Sequence, residues 1–187
     1  MEIKTVYFEN PGSENTEAVL NIAKQRAEKL DIKTIVVAST TGDTAIKAID
    51  VFPGLRVIAV THVTGFRAPN TQEFTEDNRK IVEGKGGIVL TTTHAFGGLS
   101  AAMRSKLNTY VIGDIVANTL RIFGQGTKVA CEIALMATDS GLVGTDEDII
   151  AIAGTGKGAD TAVVLSPVNS HNFFDLKIKE ILCKPHF

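Results

Sequence analysis

The chain has 187 residues, 44% hydrophobic and 21% charged, the balance of a soluble globular protein able to bury a good core in one domain spanning 1–187. Its formal net charge of −2, its pI near 6.1 and the lack of any local Lys/Arg cluster argue against a nucleic-acid partner. No apolar run approaches the roughly 18 residues of a membrane span, no leader-like segment opens the chain, and Cys131 and Cys183 share no metal or redox spacing, so a cytoplasmic protein with reduced thiols and no metal is expected.

Ile3–Phe8 reads as a buried strand, followed by a turn over Pro11–Asn15 and a helix with Val19, Ile22, Ala23, Ala27 and Leu30 facing inward. Thr34–Ala38 is a second strand and Thr44–Phe52 a second helix, stopped by Pro53-Gly54. Arg56–Thr61 is a third strand, His62–Asn70 a loop, and Thr75 or Glu76 opens a short helix that ends near Gly84. Gly87–Thr91 is a fourth strand. From about Leu99 to Ser140 the pattern is helical, broken at Gly124-Gln125-Gly126. One apolar stripe there comprises Ile112, Ile115, Val116, Thr119 and Phe123; another comprises Val129, Ile133, Met136 and Ala137. Asp148–Ala153 and Ala162–Leu165 are strand-length runs, and Phe173–Leu182 alternates as an edge strand with one wet face would. Repeated βα units predict a three-layer α/β/α fold with a mainly parallel sheet and an antiparallel edge.

In such a sheet the segments after the strands gather at one edge, where open α/β folds bind ligands. Ser39, Thr40, Thr41, Gly42, Asp43 and Thr44 form a hydroxyl-rich turn between strand and helix. Amides at a helix start carry partial positive charge, so this turn is suited to an anion, most often a phosphate. Arg67, in the loop opened by His62, is the arginine of the strand-end loops and could pair with a phosphate. Thr91, Thr92 and Thr93 could bond a phosphate or a polyol chain, His94 a carbonyl or ring nitrogen, and Phe96 could stack on a ring. Gly154, Thr155, Gly156 and Lys157 form a glycine turn that is neither a P-loop nor a good Rossmann fingerprint, and that could bring Lys157 toward an anion. Asp139, Asp146, Glu147 and Asp148 read as a solvated acidic turn, and Ser166, Ser170 and His171 as ordinary surface residues.

The run Ser39-Thr40-Thr41-Gly42-Asp43-Thr44-Ala45, then Phe52-Pro53 and Val57-Ile58-Ala59-Val60-Thr61, resembles the C-terminal domain of pyruvate kinase. Gly154-Thr155-Gly156 with Asp160-Thr161 is similar, more loosely, to the glycine-rich turn near that domain's end. The resemblance is close over 34–61 and loose over 148–165, and extends to stand-alone archaeal proteins built on this domain, of the FMN-binding type. It implies that the turn grips a phosphate and that the pyruvate kinase catalytic barrel is missing, leaving at most a flavin-dependent oxidoreductase with unknown catalytic residues. The sequence departs from the family at Asp43, where a basic residue is common. A carboxylate about 4 Å from a phosphate charge costs on the order of 1–4 kcal/mol, which counts against a sugar bisphosphate. The expected ligand is FMN; the alternatives are a regulatory sensor of a sugar phosphate or nucleotide and the oxidoreductase. By analogy with the fold, a homo-oligomer is plausible.

Overall fold

The computed structural model describes residues 2–186. Among the described residues the strands are β1 (Val6–Phe8), β2 (Thr34–Ala38), β3 (Arg56–Val60), β4 (Ile88–Leu90), β5 (Ile149–Ala153), β6 (Thr161–Ser166) and β7 (Lys177–Pro185). They form one sheet in the order β1-β7-β6-β5-β2-β3-β4. Neighbours pair parallel except at the two flanks of β6, so β6 alone opposes the rest. This is the expected α/β fold with a mixed, mainly parallel sheet.

The central strands are covered on both faces and are therefore apolar throughout, without alternation: Ile149–Ala153 is fully buried and Thr34–Val37 nearly so. On one face, Ile35 and Val37 pack with Ile150 and Ile152 beneath α1 (Thr16–Leu30) and α2 (Asp43–Val51), which contribute Val19, Leu20, Ala23, Ala45 and Ala48. On the other face, Val36, Ala151 and Val163 meet Ala130, Ile133, Ala134 and Ala137 of α6 (Gln125–Asp139). The two apolar faces of each strand thus feed two separate helix layers.

α3 (Glu76–Gly84) starts at Thr75, whose hydroxyl accepts the Asn78 N–H at 3.2 Å. α4 (Gly98–Leu107) and α5 (Ile112–Arg121) form a helical hairpin ahead of α6. Asn108 ends α4 in a left-handed conformation, φ +49°, a role asparagine tolerates. Apolar residues recur on both sides of Asn108, so periodicity alone runs through this break. No helix among the described residues is long and apolar enough to cross a membrane.

Two expectations are corrected. The tail does not supply an edge strand: Phe173–Asp175 belong to a 3-10 turn, and β7 lies between β1 and β6. Alternation reports an uncovered face, and the first half of β7 has one, but it does not report whether a strand's hydrogen-bonding flanks are open. The stripe Ile112, Ile115, Thr119 and Phe123 faces solvent; α5 buries Asp114 and Ala117 instead, with Val116 and Leu120 partly covered. The second stripe, on α6, faces inward as expected.

Candidate functional site

Because β5, β2, β3 and β4 run the same way, the segments that follow them emerge at one edge. Backbone bonds stitch that edge together: Ser39 N–H donates to the Val60 carbonyl at 3.0 Å and Thr61 N–H to the Leu90 carbonyl at 2.9 Å. The Thr61 and Thr91 hydroxyls meet at 2.7 Å. The turn over 39–44, the loop after β3 and the threonines after β4 are thereby brought together, as the sequence predicts.

The β2–α2 turn is held in a defined shape. Gly42 has φ +110°, and a Cβ there would lie 2.5 Å from the Asn78 Cβ, so only glycine fits. The Thr41 carbonyl accepts from the Thr75 N–H at 3.3 Å and from Asn78 Nδ2 at 3.0 Å, tying the turn to the start of α3. Ser39 Oγ accepts the Ala45 N–H at 3.2 Å, so this serine, ahead of α2, satisfies one amide of its first turn. Thr41 Oγ1 donates to Asp43 Oδ2 at 2.8 Å, both exposed, which holds the Asp43 carboxylate on the outer side of the turn. Among the described residues, the amides of Asp43 and Thr44 and the hydroxyls of Thr40 and Thr44 meet no protein partner. These are unsatisfied donors at the positive end of a helix.

A patch of rings stands at the same edge. His62, Phe66 and His94 lie with centroids 4.2, 5.2 and 5.5 Å apart. Glu73 anchors it: Oε2 meets His62 Nδ1 at 2.8 Å and Oε1 meets Arg67 Nε at 2.6 Å. Arg67 is therefore engaged with a carboxylate, and the cation nearest the threonine floor is Arg79, whose Nη2 donates to Thr91 Oγ1 at 3.4 Å. Val63 N–H donates to His94 Nε2 at 3.2 Å, which places the ring's own proton on Nδ1. Burial lowers the His94 pKa; Glu132 pulls it up, while His62 and Lys128 push it down.

Phe96 serves the core rather than an open stacking surface. It is 7% exposed, sits edge-on to Phe173 at 5.6 Å, and its N–H donates to Glu132 Oε1 at 3.0 Å. Glu132 in turn pairs with Lys128 one helical turn earlier. Thr92 is half-buried and Thr93 exposed, each at the mouth of the edge.

The glycine turn after β5 is anchored from below by Asp160. This fully buried carboxylate accepts from Gly12 N–H at 3.0 Å, Thr155 N–H at 2.9 Å and the Thr161 hydroxyl at 2.7 Å. Gly158 presses on the β1–α1 turn, where a Cβ would come within 2.4 Å of Ser13 Cα. Gly154 is closed over by the Gly158 carbonyl, and Gly156 and Lys157 are exposed. The turn is thus fixed mainly to the segment before α1, with Lys157 at its solvent side.

The family model for the pyruvate kinase alpha/beta domain matches residues 17–165. The chain belongs to that family. The match runs from α1 to β6 and so includes the hydroxyl-rich turn, the ring patch and the glycine turn. Among solved structures, a pyruvate kinase from Cryptosporidium parvum is 14% identical over 82% of this chain and 23% of its own, with a TM-score of 0.43. The Cryptosporidium parvum pyruvate kinase in complex with ADP is 16% identical over 89% of this chain and 23% of its own, with a TM-score of 0.39. The chain spans less than a quarter of the length of these enzymes.

In this pyruvate kinase alpha/beta domain, sequence reasoning missed Glu73, Asn78, Arg79 and Asp160. Arg79 stands four residues before Glu83 and pairs with it at 3.1 Å, which in sequence looks like an exposed helical ion pair. Asp160 offered a signal, an acidic residue closing a glycine-rich turn, but two of its three donors are backbone amides, those of Gly12 and Thr155, and only the Thr161 hydroxyl is its neighbour in sequence.

Proposed function

We propose that this chain is a cytosolic protein that binds a phosphorylated small molecule, with FMN as the leading candidate, at the carboxyl edge of its sheet. One observation carries the reading: the open amides of Asp43 and Thr44, with the Thr40 and Thr44 hydroxyls, at the start of α2. Donors converging at a helix N-terminus suit a phosphate monoester. This nest and a patch of three rings share one edge of the sheet, which fits a ligand with one phosphate and a flat, partly apolar body. Phe66, 52% exposed, is the most open of the three rings, and Arg79 with Thr91 supplies polar groups at the same edge. A sugar bisphosphate is less well served, because Arg67 is taken by Glu73 and Asp43 adds a carboxylate at the turn. FMN, when bound, would supply redox chemistry; the residues named here bind and orient it.

The test is a thermal-shift series with FMN, riboflavin and a sugar bisphosphate, alongside the visible spectrum of the purified protein. A ligand at 100 times its Kd stabilises by about 2.7 kcal/mol, which for a chain of this size raises Tm by roughly 5–10 °C. FMN should give that shift and riboflavin much less. A colourless protein whose Tm ignores FMN would overturn the flavin reading, and a response to the sugar bisphosphate alone would favour a regulatory sensor. The oxidoreductase alternative draws on the His62–Glu73 pair, in which a carboxylate orients an imidazole at the site. It requires bleaching of bound flavin by NAD(P)H or another donor.

A further inference from the structure

The strongest apolar pattern in the helical half of the chain is the one the core leaves uncovered. On α5 and its capping residue, Ile112, Ile115, Thr119 and Ile122 follow one another at spacings of three, four and three residues, the a/d seam of a helix that pairs with another helix. Ile112 is 79%, Ile115 60% and Ile122 72% exposed, while the opposite side of α5 packs on α6 through Ala117 and Leu120. Phe123, Tyr110 and Leu107, from the ends of the same hairpin, add rings and a branched chain at 49%, 64% and 59% exposure. No residue of α4 is buried.

The area is that of an interface. Taking roughly 150–250 Å² for a large side chain and the exposures above, these six residues leave on the order of 700 Å² in solvent. That exceeds the roughly 300–600 Å² of the largest patch on an ordinary monomer and approaches the ~800 Å² per partner of a standard interface.

We infer that this face is covered by a second copy of the chain, through antiparallel pairing of α5 with its counterpart about a two-fold axis. The seam is symmetric about its centre, so the two-fold sets Ile112 against Ile122 and Ile115 against Thr119 of the other copy. The residues flanking the seam in a helix pair are Val111, Asn118, Val116 and Phe123, none of them charged, so nothing repels a like copy. Of the nearby charges, Asp114 is buried against Arg104 and Arg121 bonds Gln125 and Asn118, while Lys106 stands exposed beside Leu107 at the end of the hairpin, off the α5 seam. A lipid surface would call for basic residues along the polar side of α5, and Arg121 stands there alone. The paired hairpin also walls a cavity of about 320 Å³ over α6, lined in part by Phe96, Arg104, Tyr110 and Lys128, so dimerisation would hold that wall in place.

Sedimentation equilibrium and light scattering on the full chain at tens of micromolar test this directly. Twice the 19.9 kDa chain mass is expected. Ile115→Glu should return the protein to one chain mass with an unchanged far-UV spectrum, because the side chain it replaces is exposed. Ile115→Cys combined with Thr119→Cys should give a disulfide-linked dimer under mild oxidation, since the native Cys131 and Cys183 are buried and cannot compete. A wild-type chain that stays monomeric, a dimer that survives Ile115→Glu, or a doubly substituted chain that forms no cross-link would each overturn the proposal. Wild-type chain that is monomeric but binds lipid vesicles would assign the face to a membrane instead. None of these readouts depends on whether the strand-edge site takes FMN.

Discussion

His94 accepts a backbone N–H through Nε2 and lies partly dehydrated, so protonating it in the folded state costs more than in the unfolded chain. Its native pKa falls below the ordinary value near 6.5. The unfolded chain therefore takes up the proton first as pH drops, and His94 contributes stability that is present above about pH 6.5 and is lost as pH falls from there toward its native pKa. Urea midpoints at pH 7.5 and 5.5 should separate more in the wild type than in His94→Gln, which keeps an acceptor for Val63 but does not titrate; equal separations would refute the assignment. At the turn, Thr44→Val removes a hydroxyl at near-constant shape. Hydrogen bonds to a charged group contribute about 1.5–3 kcal/mol, so on the proposed reading the variant should lose roughly 10- to 100-fold in affinity for FMN, read by titration calorimetry. Gly42→Ala should instead destabilise the fold by about 1–3 kcal/mol, since it clashes with Asn78 at a positive φ. The turn itself was legible because strand, glycine, hydroxyls and helix are consecutive in sequence. Glu73 and Arg79 were not, because what makes them part of the site is a contact across the β3–α3 and α3–β4 crossovers.

At the scale of elements, periodicity identified most helices and strands but left two questions open that only neighbours decide. The α5 stripe marked one face of a helix without saying which side is the core; small Ala117 facing α6 permits close approach, and the larger Ile residues are left outside. The alternation of β7 likewise marked a half-covered face, and its place inside the sheet depends on β1 returning to pair with it. The clamp between α1 and β7 follows from that placement: Arg26 Nε donates to Glu180 Oε2 at 2.6 Å, a second nitrogen reaches the other carboxylate oxygen, and both side chains are largely buried. The hydrogen bond to Glu180 raises the Arg26 pKa further, against the pull of burial. Removing one partner of a buried pair strands the other, so Arg26→Ala should cost about 3 kcal/mol in denaturant unfolding, whereas replacing both residues with apolar ones should cost markedly less. An equal loss in the single and double variants would show that the pair contributes nothing beyond packing. α6 approaches β6 at Gly126, where a Cβ would lie 2.1 Å from Thr161 Oγ1. The small residue sets that distance.

Over the whole molecule, two layers share one sheet, and each carries a buried thiol. Cys183, on β7, lies in the core beneath α1, and Cys131, on α6, lies in the cluster under α5. Burial pushes both pKa values up to about 12, so neither presents a thiolate near neutral pH. Neither layer can lift away without exposing the shared central strands β2 and β5, whose side chains are buried on both faces. The two layers should therefore open together. Ellman's reagent should leave the native protein unreacted at pH 8, and both thiols should become reactive across a single urea transition that coincides with loss of far-UV signal. Cys131→Ser and Cys183→Ser, each reporting the remaining thiol, should show the same midpoint once corrected for their own stability. If the Cys131 thiol reacts well before the Cys183 thiol, α6 and the hairpin on it form a separate, weaker unit, and the shared sheet does not couple the layers.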